Sequence, residues 1–557
     1  MIMVNSPEKI WDHERQRRNR KLERAASALG ASRGKVVSAD MAVQLLEAVI
    51  ESGDRVCLEG NNQKQADFLA QALTRVDPTK INKLHMLQSV LALPAHLDVF
   101  ESGIAEQVDF SFSGPQAARL ARMVGKGQIR IGAIHTYLEL FSRYFVDLTP
   151  HVALVAAQSA DAQGNLYTGP NTEDTPAIVE ATAFKNGIVI AQVNELVDKV
   201  PRVDIPGDWV NFVIPSPRPH YIEPLFTRDP AQISEIQVLM AMMAIKGIYS
   251  AYGVQRLNHG IGFDTAAIEL LLPTYAESLG LKGKICSHWA LNPHPAMIPA
   301  IEAGFVKSIH SFGSELGMED YIAARPDVFF TGPDGMMRSN RAFCQAAGHY
   351  ACDMFIGSTL QIDMEGNSST ATLDRISGFG GASNMGADAR GRRHASPAWL
   401  KAGEQRRSHN PGIPRGQKLV VQMVETFREH MQPAFVSKLD AWKLAEFANM
   451  PIPPVMIYGD DVTHILTEEG IANLLLCANA EEREQAIRGV AGYTEIGLGR
   501  NARMVENLRD RGVIRRAEDL GIDKRDATRD LLAARSVKDL VRASGGLYQP
   551  PVRFRNW

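Results

Sequence analysis

The sequence predicts a two-domain α/β protein whose largely parallel sheets are flanked by helices. Three observations carry this expectation. Apolar helical stripes alternate with short apolar runs, as in sheets buried on both faces. The 557 residues exceed what one hydrophobic core organises. Pro215, Pro217, Pro219 and Pro224 interrupt the alternation within ten residues, and it then resumes. The expected division is a basic extension over 1–37, a first domain over 38–222 and a second over 223–557.

Arg15, Arg17, Arg18, Arg20, Lys21 and Arg24 give residues 8–24 the look of a solvated helical tail, with an acidic partner as the alternative. Ser38-Ala39-Asp40 opens a helix whose stripe is Ala42, Leu45, Leu46, Val49 and Ile50. Gly53-Asp54 stops it, and Arg55–Leu58 reads as a strand before a helix over Ala66–Ala72. Val152–Ala156 and Gly187–Val193 are further strands. Beyond the prolines come a Met-rich helix from Val238 to Ile248, an apolar run over Leu257–Gly262 and a helix from Thr265 to Leu272. No short-period repeat is visible, and whether the halves share a fold is left open. Residues 390–418 carry eight Lys or Arg against Glu404 alone, and read as a long basic loop.

Composition excludes several classes. A net charge of −3 does not suit a general nucleic-acid binder. Cys57, Cys286, Cys344, Cys352 and Cys477 form no C-x-x-C pair, which argues against a disulfide framework or a thiolate zinc site. His288 and His294 lie six apart, matching no helical metal pair, so no metal is expected. No signal-peptide core or 18-residue apolar stretch occurs, so a cytoplasmic protein without a membrane span is expected.

The chemical centre is the glycine turn Ser377-Gly378-Phe379-Gly380-Gly381-Ala382. Acyl exchange on a thioester passes through tetrahedral oxyanions, and glycines let backbone N–H groups approach such an oxygen. The bland alternative is a tight turn without a ligand. A dinucleotide fingerprint would require glycine where Ser383 stands.

In chain order, Gly53-Asp54-Arg55-Val56, Asp161-Ala162-Gln163-Gly164-Asn165, Ala191-Gln192-Val193-Asn194, Gly260-Ile261-Gly262, the glycine turn and Thr467–Ala472 resemble segments of the CoA-transferase superfamily. Gly60–Asp67, Cys286–Pro295 and Gly378–Arg393 are similar, within it, to malonate decarboxylase alpha subunits. The resemblance implies two CoA-transferase-like domains and exchange of acetyl for malonyl on an acyl carrier protein's thiol. It implies Gly380 and Gly381 as catalytic N–H donors. Asn62, Asn194, Gly260, Gly262, Gly378, Phe379, Ala382 and Arg390 would bind the substrate or the carrier arm. Asn258 and His259 also sit beside these segments. The implied partners are an acidic acyl carrier protein, the other decarboxylase subunits, malonate and acetate, with no nucleic acid or membrane. No cofactor would be bound permanently. The arm would be phosphopantetheine-type and derived from dephospho-CoA, with CoA as an analogue, and the basic loop could steer it.

Covalent CoA-transferases attack with a glutamate in a second-domain segment. Here that stretch, Cys286–Asn292, has no carboxylate. The resemblance therefore implies direct attack by the substrate carboxylate through a mixed anhydride. Glu365 and Glu468 are the remaining acids of interest. The alternatives are a CoA-transferase or hydrolase using free CoA, a citrate-lyase-type alpha subunit, and a carrier-binding scaffold without catalysis.

Overall fold

The computed structural model describes residues 10–30, 34–61, 64–222, 229–313, 315–333, 336–390, 392, 395–407 and 415–555. The chain forms two compact units, Met1–Glu223 and Pro224–Trp557.

In the first unit, β1 (Arg55–Leu58), β2 (Leu84–Val90), β3 (Ala105–Phe112), β4 (Arg130–Ile134), β5 (Val152–Ala160), β6 (Leu166–Tyr167), β7 (Ile188–Leu196) and β8 (Phe212–Pro215) form one sheet. Its order is β4-β3-β2-β1-β5-β7-β8, with β6 paired antiparallel to β5 and all other pairs parallel. The central strands are buried over most of their length, which explains their continuous apolar runs.

The basic N-terminal segment is not a solvated tail. Ile10–Ala28 is a helix packed against the helix Ala42–Val49. Its Lys21 is buried and lies 2.5 Å from Asp54, which Arg17 also pairs. Arg17 and Arg24 bind Glu51 at 3.0 and 2.8 Å. The cations look solvated in sequence because their acids lie some thirty residues onward.

In the second unit, β9 (Arg256–His259), β10 (His288–Ala290), β11 (Ser308–His310) and β12 (Met354–Ser358) are followed by the hairpin β13 (Gln361–Ile362) and β14 (Ser368–Ser369). Next come β15 (Leu419–Met423), a small hairpin of β16 (Phe427–Arg428) and β17 (Gln432–Pro433), then β18 (His464–Thr467), β19 (Gly470–Asn473) and β20 (Ile514–Arg515). The main sheet runs β11-β10-β9-β12-β15-β18-β19-β20, parallel as far as β18. Its helices bury the Met-rich segment Val238–Ile248 as the sequence pattern requires, although the last turn opens into a π-helix over Ile245–Tyr249.

Residues 390–418 are not one long loop. Pro397–Arg407 is a helix whose start is set by Pro397 and by the Ser396 hydroxyl, which accepts the Trp399 N–H at 3.3 Å. Most of its flanking cations are structural. Arg392 is buried on Asp353 at 3.2 Å, and Arg415 pairs with Asp388. Lys418 is fully buried and donates to the carbonyls of Met385 and Gly348 at 3.1 and 3.3 Å. Arg393 and residues 408–414 lie outside the described residues.

The two units share a device. Asp161 accepts the N–H groups of Gln163 and Asn165 at 3.1 and 3.0 Å, and its other oxygen takes the Asn165 amide at 2.9 Å. Asp363 accepts those of Glu365 and Asn367 at 3.1 and 2.9 Å, and the Asn367 amide at 3.1 Å. The asparagine oxygens accept Gly207 and Gly459 N–H, each at 2.9 Å. Gly164 and Gly366 both have φ of +84°. The Asp-x-x-Gly-Asn turns are copies of one element, placed in each unit beyond a parallel strand.

Candidate active site

Strands β9, β10, β12, β15 and β18 point the same way, so their carboxyl ends line one edge of the second sheet, where open α/β sheets bind ligands. After β9, Gly260 donates to the Ile356 carbonyl at 2.7 Å, and a Cβ there would stand 2.9 Å from the Gly357 Cα. At Gly262 a Cβ would stand 3.1 Å from the Ser358 hydroxyl. The two predicted glycines thus let the β9 turn lie flat against β12. Asn258 is spent on structure, because its amide donates to the Ala290 carbonyl.

Beneath this turn is a buried polar chain. Tyr249 Oη lies 2.7 Å from His259 Nε2, His259 Nδ1 lies 2.8 Å from Glu269, and His294 Nε2 reaches Glu269 at 3.0 Å. Burial alone would raise the Glu269 carboxyl, but the two histidines pull it down to about 2. Trp289 closes edge-on over His259 at 4.5 Å. Glu269 and His259 have fully buried side chains, so this network braces the β9 turn and the 292–294 segment. His288 instead pairs with Ser308 at 2.8 Å, so the two framing histidines serve different partners.

The glycine turn follows a short bridge between Ala371 and Ile376. Gly378 and Gly380 have φ of +78° and +58°, the left-handed region that favours glycine. The Thr370 hydroxyl donates to the Gly378 carbonyl. Phe379 packs against the core, and Ala382 begins the helix Ala382–Met385. Among the described residues, the N–H groups of Gly380 and Gly381 donate to no protein acceptor, whereas that of Ala382 donates to Phe379. The turn therefore offers two adjacent backbone donors in a largely buried setting.

Other expected residues fall elsewhere. Asn194, in the first unit, uses both ends of its amide on Gln158 and the His220 N–H, at 2.9 and 2.8 Å, and so ties β7 to the following segment. Arg390 is exposed, and Asn62 lies outside the described residues. Glu365 is an exposed member of the Asp-x-x-Gly-Asn turn. Glu468 accepts the Thr426 N–H at 3.0 Å, and its hydroxyl.

Two further features of this unit correspond to no sequence motif. One is an acidic group at the strand ends. Asp264 accepts the Ser358 hydroxyl at 2.8 Å, and burial raises its carboxyl. Glu425, just past β15, is pushed up to about 7 by burial, then by Asp264 and Glu468. The other is Gln345, buried beside the glycine turn. Neither feature has a sequence signal, because Asp264 and Glu425 stand singly in the chain and Gln345 belongs to no motif. Cys352 and Cys477 are poor nucleophiles, since burial pushes their thiols up to about 12.

Two units built on largely parallel sheets flanked by helices give the chain a CoA-transferase-like fold. An acyl-CoA transferase from Escherichia coli O157:H7 shares the fold with a TM-score of 0.51, over 79% of this chain and 88% of that one. At 15% identity that likeness is one of fold alone. The profile described as "Malonate decarboxylase, alpha subunit, transporter" matches residues 10–557, and the chain belongs to that family. It is 64% identical to the acetyl-S-ACP:malonate ACP transferase of Malonomonas rubra, over 99% of this chain and all of the relative. It is also similar to a chain of a Pseudomonas malonate decarboxylase hetero-tetramer solved in complex with malonate. There the identity is 59% and the TM-score 0.94, covering 99% of this chain and 100% of that one.

Proposed function

We propose that this chain is the acyl-carrier-protein transferase of a malonate decarboxylase, converting acetyl-S-carrier and malonate into malonyl-S-carrier and acetate. The observation that carries the reading is the glycine turn with two unengaged N–H groups, in a chain whose Cys286–Asn292 segment has no carboxylate. The acetyl carbonyl oxygen binds at Gly380 and Gly381. A malonate carboxylate oxygen attacks the thioester carbon, the C–S bond breaks, and the carrier thiolate leaves. That thiolate attacks the malonyl carbonyl of the mixed anhydride, and acetate departs with the bridging oxygen. Each oxyanion gains from donors already fixed in place, worth about 10²–10³-fold in rate per donor. Holding two acids in line supplies much of the remainder.

The acyl group arrives on the carrier's phosphopantetheine-type, dephospho-CoA-derived arm, within a complex containing the other decarboxylase subunits. A substrate panel tests the reading: malonate, citrate and acetate are offered with acetyl-carrier protein or acetyl-CoA, and the thioesters are identified by mass. Malonyl-carrier should dominate. Equal turnover of free acetyl-CoA would favour a CoA-transferase, and no exchange would leave only a scaffold.

A further inference from the structure

The helix Arg341–Ala351 buries Arg341, Cys344, Gln345 and Gly348, which share one face. This face meets the segment that leaves the glycine turn. The absence of a side chain at Gly348 admits Met385, the Asn384 amide donates to the Gln345 carbonyl at 3.2 Å, and His349 Nδ1 lies 2.9 Å from the Asn384 carbonyl. The helix is thereby fixed against residues 381–385.

Gln345 occupies an unusual place on that face. Its side chain is fully buried, yet among the described residues neither its amide nitrogen nor its oxygen has a hydrogen-bond partner. A buried amide without partners costs about 1–3 kcal/mol per unmet group; Gln88 and Gln422 share this state, and what distinguishes Gln345 is the glycine turn it faces. The amide lies against the turn itself. A Cβ built on Gly381 would stand 3.0 Å from both Gln345 Cδ and Oε1, and closer still to Nε2. The hydroxyl of Ser383, two residues on, is likewise buried without a partner. An unpartnered side-chain amide therefore lies where residue 381 lacks a side chain, beside the residues whose N–H groups are unengaged among the described residues.

We propose that Gln345 is a catalytic residue of this site, donating an amide N–H to the acyl oxygen held by Gly380 and Gly381. This rests on the transferase reading above and deepens it. The hole then has three donors from two elements, and glycine at 381 is required to leave room for the amide as well as for substrate. The oxyanion of each tetrahedral state is the partner that the amide lacks in the free protein. The interaction strengthens as charge develops, so it acts on kcat more than on KM.

The test uses the full-length chain with acetylated carrier protein and malonate, comparing wild type with Gln345→Met, which keeps the length of the side chain and removes the donor. Gln345→Leu serves as a second variant should the first fail to fold. The expected result is a fall in kcat of about 10²–10³-fold with KM for malonate nearly unchanged. The thermal midpoint should be equal to or above that of wild type, because an unmet buried amide has been replaced by an apolar group. A kcat within about threefold of wild type would overturn the proposal, as would a kcat loss matched by a lower midpoint in both variants. A wild-type chain that exchanges nothing defeats the transferase reading and this inference with it. An active wild type with an active Gln345→Met variant defeats this inference alone.

Discussion

Glu425 shows how one side chain records its surroundings. It stands just past β15, where the Gln237 amide reaches it at a long 3.4 Å. Burial, Asp264 and Glu468 together push it up to about 7 from an ordinary 4.5. A carboxyl raised on folding favours the folded state while protonated. Its contribution is present below pH 4.5 and is lost as pH rises through about 7. Glu425→Gln stays neutral throughout. The gap in thermal midpoint between variant and wild type should therefore widen from pH 5 to pH 8, and a constant gap would contradict this assignment. At the same scale, the glycine turn was legible because its chemistry demands glycines at fixed places. Gln345 was not, because a glutamine on a helix carries no spacing signal, and only folding sets it beside Gly381.

At the scale of elements, the paired Asp-x-x-Gly-Asn turns are the main gain over the sequence. Only the first stood out in the sequence, and the second differs from it at two of five positions. Their equivalence lies in hydrogen bonds to Gly207 and Gly459, residues 42 and 92 positions beyond the asparagines. Asn165→Ala and Asn367→Ala each remove a matching pair of bonds, at a half-buried position in the first unit and a buried one in the second, where the Asn367 amide also reaches Glu365 at 3.2 Å. Each should lower stability by about 1–3 kcal/mol in denaturant titrations, the buried Asn367 by at least as much as Asn165. A loss confined to one turn would argue against a shared role. Strands such as β5 and β7 were legible as apolar runs because both faces are covered. Residues 8–24 read as a solvated helical tail, and the cations of 390–418 as those of an open loop, because their acids are distant in sequence: Asp54 for Lys21, Asp353 for Arg392 and Asp388 for Arg415.

Over the whole molecule, both units bury neutral histidines. Burial lowers His96 to about 3 and His464 to about 3, and lowers His220 to about 4. A histidine lowered on folding contributes stability above its unfolded value of 6.5 and loses it as pH falls below that, opposite in sense to Glu425. In ring-labelled protein, these three histidines should hold neutral-form NMR signals down to pH 5, and titration of all of them near 6.5 would contradict this. Among the described residues, no helix is long and apolar enough to cross a membrane. The proposed transfer depends most on direct attack by the substrate carboxylate, with the protein supplying donors and no nucleophile of its own. A single turnover with malonate labelled by ¹⁸O in its carboxylates tests that step. Direct attack predicts acetate carrying one labelled oxygen and no label in the protein; unlabelled acetate with ¹⁸O on an enzyme glutamate would contradict it.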